Sequence, residues 1–215
     1  MLTIRSKSHP YSVVESPGVH ASIAGIEQRE QAFYLIDRKV SQLYESQFTK
    51  LIPSAQSYFV DASERAKSYD QLEPIFCWLL EKKIRRTSNL VVIGGGVLQD
   101  IGCFIASVLM RGVRWTLIPT TLLAQCDSCI GSKSSLNVNR FKNQLGTFYP
   151  PHEIRLSFEY LDSLPTSEIY SGLGEAIKLH LIDGQESVNA LRAMLASAGS
   201  KTFPLSEIVW RSLKI

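Results

Sequence analysis

The stretch NLVVIGGGVLQDIGCFIASVLMRGVRWTLIP, residues 89–119, decides the fold of this chain. Residues 90–93 are a short run of branched apolar residues typical of a buried strand, and three glycines follow directly. Residues 97–110 form an apolar segment long enough for a helix, and residues 115–118 are strand-like and end at Pro119. A strand, a helix and a strand in this order predict a parallel sheet with a right-handed crossover.

The segments on either side extend this α/β pattern. Apolar spacing predicts strands at 32–36 and 58–60, and helices at 40–48, 69–83 and 187–198. Residues 120–151 show no sustained periodicity, which predicts one long polar loop, and loops of that length in compact domains are usually functional. After this loop a helical pattern begins, with Ser163 predicted to cap it just before Pro165.

Composition excludes several classes of protein. The 215 residues are 45% hydrophobic and 20% charged, as in ordinary globular domains and unlike disordered chains. The net charge of +3 is small and dispersed, so neither nucleic acid nor an anionic membrane is an expected partner. The longest apolar run contains Asp100 and falls short of the ~18 residues of a spanning helix. The N-terminus lacks the apolar core of a secretory signal, and together these features predict a cytoplasmic protein.

The four cysteines do not predict a disulfide framework in a chain of this length. Cys77 and Cys103 lie in apolar helical stretches, where small buried thiols are common. Cys126 and Cys129 have the C-x-x-C spacing of redox and zinc sites, but no second pair accompanies them. Reduced thiols agree with a cytoplasmic location.

The glycine turn is the first candidate binding element. Glycines between a buried strand and a helix let a ligand approach the backbone, and the N–H groups of the helix start favour an anion. GGGVLQD at residues 94–100 is not the G-x-G-x-x-G dinucleotide fingerprint, so a tight structural turn stays an open alternative to nucleotide or phosphate binding. Asp100 is equally explained as a favourable charge in the first turn of the helix.

The polar loop is the second candidate, because ligands of open α/β sheets lie at the carboxyl ends of the strands. Cations and amide donors there, namely Arg111, Lys133, Lys142 and Asn143, suit a phosphate-bearing substrate, although ordinary surface charges explain them as well.

Farther along the chain, Glu175 and Lys178 are neighbours at i and i+3 on one helix face, usually a surface ion pair. A metal role for Glu175 needs nearby histidines, and His180 is predicted instead to be a core or boundary residue.

Taken in order, five strings give this chain a family resemblance: GGGVLQD, RG, PTTLLAQCDSCIGSKSSLN, KNQLGTFYPP and LPTSEIYSGLGEAIK. Together they resemble the 3-dehydroquinate synthase family and its sugar-phosphate cyclase relatives over roughly residues 30–185. SERAK at residues 63–67 also looks like the family's G-E-x-x-K nucleotide-contacting segment, with serine in place of glycine.

The resemblance implies a fold, two domains and a reaction. It implies a Rossmann-like parallel-sheet domain over residues 1–160 that binds NAD, then the first helices of an incomplete α-helical domain over 161–215. In this family, NAD oxidises a hydroxyl of a seven-carbon sugar phosphate, which acidifies the neighbouring C–H so that phosphate is eliminated and a carbocycle can close. Zinc or cobalt assists, the substrate is a small sugar phosphate, and the family implies a homodimer.

The resemblance also assigns roles to residues. The implied cofactor-binding residues are Asp37, Glu64, Lys67, Gly94, Gly95, Gly96, Val97, Asp100, Thr120, Thr121, Asp127, Ser128, Lys133, Lys142, Tyr160 and Ser163. The implied catalytic and substrate-contacting residues are Lys133, Lys178, Arg111, Asn143 and Asp127. Glu175 matches the family's carboxylate metal ligand.

Two departures from the family pattern affect these expectations. Where members usually read G-G-K-T-G-V-N, this chain has GSKSSLN at residues 131–137, and KNQLGTFYPP leans toward cyclases of sedoheptulose phosphate. The family's histidine ligands lie beyond the last residue, and a catalytic zinc needs three protein ligands. We therefore expect a C-terminally truncated chain that is inactive alone. A valiolone-type sedoheptulose 7-phosphate cyclase and a non-catalytic NAD-binding module are the alternatives.

Overall fold

The computed structural model describes residues 1–26, 31–197 and 203–215. The strands are β1 (Leu2–Arg5), β2 (Pro10–Glu15), β3 (Ala32–Asp37), β4 (Ser57–Val60), β5 (Asn89–Gly94), β6 (Arg114–Pro119), β7 (Leu136–Val138), β8 (Phe141–Leu145) and β9 (Glu153–Leu156). The helices are α1 (Val19–Ile23), α2 (Arg38–Leu43), α3 (Glu45–Leu51), α4 (Glu73–Glu81), α5 (Gly96–Val108), α6 (Leu122–Cys126), α7 (Glu159–Asp162), α8 (Thr166–Asp183), α9 (Gln185–Ser197) and α10 (Leu205–Ser212).

Seven strands form one sheet in the order β1-β2-β9-β6-β5-β3-β4. All neighbouring pairs are parallel except β1 and β2, which form an antiparallel hairpin at one edge. The carboxyl ends of β3, β5 and β6 therefore meet at one end of the sheet, where ligands of open α/β sheets bind. The predicted Rossmann-like α/β fold is confirmed.

The sheet is covered on both faces, and alternation along β5 shows how. Leu90 and Val92 pack into the core beneath α5, whereas Val91 and Ile93 pack into a second core with residues of α1 and α3. Because side chains of a strand point alternately to opposite faces, burial of all four residues requires cover on both sides. The short apolar runs that predicted β3, β5 and β6 follow from this two-sided burial.

Several predicted segments were wrong in detail. The helix predicted at 40–48 is two helices, α2 and α3, that meet at Tyr44, whose ψ of 28° is not helical. The helix predicted at 69–83 is only α4, preceded by a 3-10 turn at Tyr69–Gln71. Cys77 on α4 is exposed rather than buried, whereas Cys103 on α5 is buried as predicted.

The segment predicted as one long loop, 120–151, contains structure. It holds α6 and an antiparallel hairpin formed by β7 and β8, which we name the flap, residues 136–145. The sequence analysis also missed the three strands on the side of β6 away from β5, namely β1, β2 and β9.

After β9 the described chain is helical. Helix α8 packs on α6, and α10 packs against both. The boundary predicted after residue 160 falls within α7, and the two-domain division stays a prediction. The end of the helix predicted at 187–198 lies outside the described residues. Among the described residues, no helix combines the length and the apolar character that a membrane crossing requires.

Candidate functional site

A crevice of about 1030 Å³ opens at the carboxyl ends of the central strands. Its walls include most of the residues that the sequence nominated for binding: Asp37, Glu64, Lys67, Gly95, Gly96, Val97, Asp100, Thr120, Thr121, Ser128, Lys133, Asn143, Tyr160 and Ser163. It is an open space rather than a packed interior, which leaves room for a ligand of dinucleotide size.

The glycine turn forms the floor of the crevice. Gly94 ends β5, Gly95 precedes the first turn of α5, and Gly96 begins that helix. A Cβ on Gly95 would lie 2.7 Å from Thr121 Cγ2, so only glycine lets the turn pass this close to the next strand end. A Cβ on Gly96 would meet nothing nearer than 3.9 Å. The 13-residue helix thus points its free N–H groups into open space, where an anion is favoured.

Thr120, which directly follows β6, is a second candidate contact for a ligand. It is 2% exposed, lines the crevice and has no hydrogen-bond partner for Oγ1 among the described residues. Since buried hydroxyls are nearly always hydrogen-bonded, this orphaned atom at the strand end indicates that a bound polar group completes the site.

A buried lysine also lines the crevice. Lys67, 7% exposed, places Nζ 2.8 Å from Asp100 Oδ2, at the first turns of α5. Burial raises the pKa of Asp100, and the Lys67 ammonium opposes that shift. Asp100 is therefore not the simple helix-start charge that the sequence left open, because a buried lysine from another segment binds it.

The side of the crevice next to β3 holds Asp37 and two residues from the α7 region. Asp37 Oδ1 accepts a hydrogen bond of 2.9 Å from the Lys39 backbone and so caps α2, while burial raises its pKa. The prediction that Ser163 caps α8 is wrong. Its hydroxyl instead donates to the Tyr160 carbonyl and accepts from the Tyr44 hydroxyl. Pro165 occupies the capping position of α8, so Ser163 is free to hold the crevice wall together.

Two carboxyl groups meet just beyond the crevice. Gly172 lets α8 cross α6 closely, since a Cβ there would lie 2.5 Å from Leu122, and this brings Glu175 to Asp127. Burial and the hydrogen bond to Glu175 raise the pKa of Asp127. The ammonium of Lys178 holds the pKa of Glu175 below its usual range. The two carboxyl groups therefore differ in acidity, with the higher pKa at Asp127 and the lower pKa at Glu175.

Lysines 133 and 178 converge on this pair. Both lower the pKa of Asp127 and of Glu175 through their charge, so the two ammonium groups approach one site rather than opposite surfaces. Lys133 also lines the crevice, whereas Lys178 does not. The Asp127 and Glu175 pair therefore adjoins the crevice at its Lys133 side.

Not every nominated residue reaches the crevice. Gly94, Asp127, Lys142, Glu175 and Lys178 are absent from its walls. Arg111 is also absent and lies just before β6, at the amino end of the strands and thus across the sheet from the carboxyl ends. Within one copy of the chain, the predicted substrate contact of Arg111 is not brought to this site, and its role stays a prediction.

A zinc site is not complete within the described residues. They contain no group of three or more histidine, cysteine, aspartate or glutamate side chains placed to hold a metal ion. His180 is buried and bonded to Ser187, which confirms the core position predicted for it. Burial raises the pKa of Cys126 to about 12, so its thiol stays protonated at neutral pH.

Sequence reasoning missed some residues of the site. Gln99 on α5 exchanges hydrogen bonds with Ser128, one of them 2.7 Å from the Ser128 hydroxyl, and fixes the crevice floor to the loop after α6. Phe148 is 84% exposed at the crevice wall. Both stand inside quoted strings, GGGVLQD and KNQLGTFYPP, but their residue types alone gave no signal.

Comparison with known proteins gives concordant matches. A family model described as 3-dehydroquinate synthase N-terminal matches residues 57–171. The 3-dehydroquinate synthase of Clostridium tetani is 36% identical over 166 residues, covering 76% of this chain and 44% of the relative. That of Dictyoglomus thermophilum is 39% identical over 156 residues, covering 72% and 44%. The chain thus spans about half the length of the curated relatives it matches.

Solved structures agree on the fold. The 2-epi-5-epi-valiolone synthase ValA of Streptomyces hygroscopicus subsp. jinggangensis 5008, with NAD⁺ and Zn²⁺ bound, matches with a TM-score of 0.82 and 26% identity. The match covers 100% of this chain and 62% of that one. A 2-deoxy-scyllo-inosose synthase matches with a TM-score of 0.72 at 21% identity, covering 84% and 52%, which supports the fold alone.

Proposed function

Because this chain belongs to the family described as 3-dehydroquinate synthase N-terminal, we propose that it is the NAD-binding half of a sugar-phosphate cyclase. The reaction is that of 3-dehydroquinate synthase, a carbon–oxygen lyase that eliminates phosphate from a heptulosonate phosphate and closes a carbocycle, a step of aromatic amino acid biosynthesis. Residues 1–160 are the NAD-binding domain, and residues 161–215 are the first helices of a helical domain.

The residues that line the crevice suit the chemical groups of NAD. The glycine turn offers backbone N–H groups to the pyrophosphate, and the orphaned Thr120 hydroxyl offers a further hydrogen bond. Asp37 at the end of β3 is placed for a ribose hydroxyl. The NAD⁺ bound in the valiolone synthase supports this choice of ligand.

The chain's own residues then prepare a sugar phosphate beside the cofactor. Bound NAD supplies temporary oxidation of a substrate hydroxyl. Lys133 and Asn143 on the crevice wall bind phosphate, lysine as a point charge and asparagine as an amide donor. Asp127 and Glu175 lie beside Lys133, so a carboxylate of this pair can take the proton released from the C–H next to the oxidised carbon as phosphate leaves.

The described residues offer too few ligands for zinc or cobalt. Asp127 and Glu175 are two side chains with metal-binding oxygens, and a catalytic zinc needs three protein ligands. The described residues therefore do not hold the metal alone, and no step is assigned to it. The expectation that the chain is inactive by itself stays a prediction.

Calorimetry tests the cofactor site directly. We expect the 215-residue chain to bind NAD at one site, and Thr120→Val to weaken that binding about 2- to 12-fold, the range for one net hydrogen bond. Thr3→Val, on the exposed edge strand β1, is the matched control and should leave the affinity unchanged. Failure of the chain to bind NAD rejects the proposal.

The reaction itself is tested in the gene product that carries this chain. With NAD and zinc or cobalt, we expect release of phosphate from 3-deoxy-arabino-heptulosonate phosphate. No release under these conditions rejects the dehydroquinate assignment, whatever the calorimetry shows.

A valiolone-type cyclase is the second candidate. Three serines, Ser132, Ser134 and Ser135, surround Lys133 in place of the usual family residues, and the valiolone synthase matches the whole chain. Product analysis with sedoheptulose 7-phosphate distinguishes this enzyme from the first. NAD binding without any metal-dependent turnover would instead favour a non-catalytic NAD-binding module. The homodimer and the cytoplasmic location stay predictions; light scattering tests the first.

A further inference from the structure

Lys67 joins three segments that are far apart in the sequence. It ends the 3-10 turn Glu64–Lys67, and its Nζ lies 2.8 Å from Asp100 Oδ2 and 3.9 Å from Glu64 Oε1. The same ammonium donates a hydrogen bond of 3.1 Å to Asn143 Oδ1, on strand β8 of the flap. One buried charge thus contacts the crevice floor and the flap at once.

The flap is tied back to the same turn by further hydrogen bonds, and the Lys67–Glu64 ion pair of 3.9 Å closes these contacts into a ring. Asn137 Nδ2 donates to Glu64 Oε1 at 2.8 Å, and Asn137 Oδ1 accepts from the Asn143 backbone N–H at 2.8 Å. Asn143 holds a left-handed φ of 57°, a conformation that asparagine tolerates better than most residues. Both strands of the flap are therefore fastened to Glu64 and Lys67.

The outer strand of the flap, β8, pairs with β7 and is otherwise exposed. All residues of β8 are exposed, and its apolar side chains, Phe141 and Leu145, are 56% and 39% exposed. Segments with few buried apolar contacts open at low free-energy cost. The ring around Lys67, together with the pairing to β7, therefore helps to keep the flap in place over the crevice.

The ammonium has one donor to spare. A lysine carries three N–H donors, and within the described residues Asp100 and Asn143 take two of them at hydrogen-bonding distance. Lys67 lines the crevice, so the third donor is available to a hydroxyl or phosphate oxygen bound there. A ligand that accepts from this third donor binds the same nitrogen atom that holds Asn143 of the flap.

We propose that Lys67 is a positioning residue that couples nucleotide binding to order in the flap, by binding the nucleotide while it holds Asn143. This inference rests on the proposed binding of NAD in the crevice. Coupling of this kind is reciprocal: if bound nucleotide stabilises the anchored flap, the anchored flap strengthens nucleotide binding by the same factor. Asn143, a nominated substrate contact, is already held by Lys67 in the structure, and bound nucleotide stabilises that contact further.

Amide hydrogen exchange of residues 136–145 tests the anchor without NAD. We expect Lys67→Met and Asn143→Gly to speed exchange in the flap about ten-fold, as for loss of a charge-assisted hydrogen bond. The double variant should be no faster than either single variant, because both remove the same contact. Glycine avoids strain at the left-handed φ, and Asn143→Asp, which retains the acceptor, should preserve protection. Lys7→Met, at an exposed lysine, is the control.

Addition of NAD tests the coupling. The unsubstituted chain should show slower exchange in the flap when NAD is bound, whereas Asn143→Gly should bind NAD without that response. Flap exchange that is indifferent to Lys67→Met overturns the inference even if NAD binds, and leaves the proposed function intact. If NAD does not bind but both single variants loosen the flap, the proposed function and the coupling fail together and only the anchor stands.

Discussion

The close crossing of α6 and α8 makes a quantitative prediction at Gly172. A Cβ built there lies 2.5 Å from Leu122 Cβ and Cγ and 2.8 Å from the Leu123 backbone nitrogen. Real Cβ atoms do not approach other atoms this closely, and a backbone atom cannot rotate away as a flexible side chain can. Gly172→Ala therefore forces the two helices apart.

The same helix supplies a matched control. Gly174 is exposed, and a Cβ there meets nothing within 4 Å. Both substitutions gain the helix propensity of alanine, roughly 0.5–1 kcal/mol, so this gain cancels when the two variants are compared. What remains is the cost of overpacking at Gly172, typically about 1–3 kcal/mol.

Thermal unfolding measures that difference. For a chain of this size, each kcal/mol shifts the midpoint by about 2–4 °C, so Gly172→Ala should unfold roughly 2–12 °C below Gly174→Ala. Gly174→Ala should equal or slightly exceed the unsubstituted chain. Equal midpoints for the two variants would refute the close crossing, and with it the geometry that brings Glu175 to Asp127.

Two further predictions concern ionisation. Burial lowers the pKa of His152 to about 4, so the folded chain binds fewer protons than the unfolded chain between pH 6.5 and 4, and stability from this group falls as pH falls through that window. In His152→Asn, the new side-chain oxygen can still accept from the Trp115 backbone N–H. The urea midpoint of this variant should therefore fall less between pH 7 and pH 5 than that of the unsubstituted chain. Glu175→Gln should lower the pKa of Asp127, followed by carbon NMR of its carboxyl, while exposed Glu186→Gln should not; an unchanged pKa in Glu175→Gln would contradict the contact between the two carboxyl groups.

The sequence predicted the apolar strands β3, β5 and β6 and the edge strand β4, but it missed β1, β2 and the interior strand β9. β3 and β5 are runs of apolar residues because both faces of the sheet are covered there. β9 contains Arg155, which is buried and donates to backbone carbonyls of the α1 region, so its strand reads as a charged loop. Burial of a paired arginine is set by tertiary structure and leaves no local pattern.

The candidate site was predictable where one segment makes it. The glycine turn and the residues at strand ends were located because a strand, glycines and a helix follow each other in the chain. The ring of Glu64, Lys67, Asn137 and Asn143 was not, since its hydrogen bonds join segments separated along the sequence. Each of these residues lies in a quoted motif. The motifs do not show that Lys67 contacts Asp100 in one motif and Asn143 in another.

The carboxyl pair shows why a local ion pair and a functional site look alike in sequence. Glu175 and Lys178 stand at i and i+3, as on the surface of many helices, and the structure does pair them. What sets them apart is Asp127, delivered by another helix to within hydrogen-bonding reach of Glu175. Two carboxyl groups in contact repel when both are ionised, so they persist only where they share a proton or neighbouring cations compensate them. Lys133 and Lys178 provide that compensation, and this combination of two carboxyl groups with two lysines is what a local i, i+3 ion pair lacks.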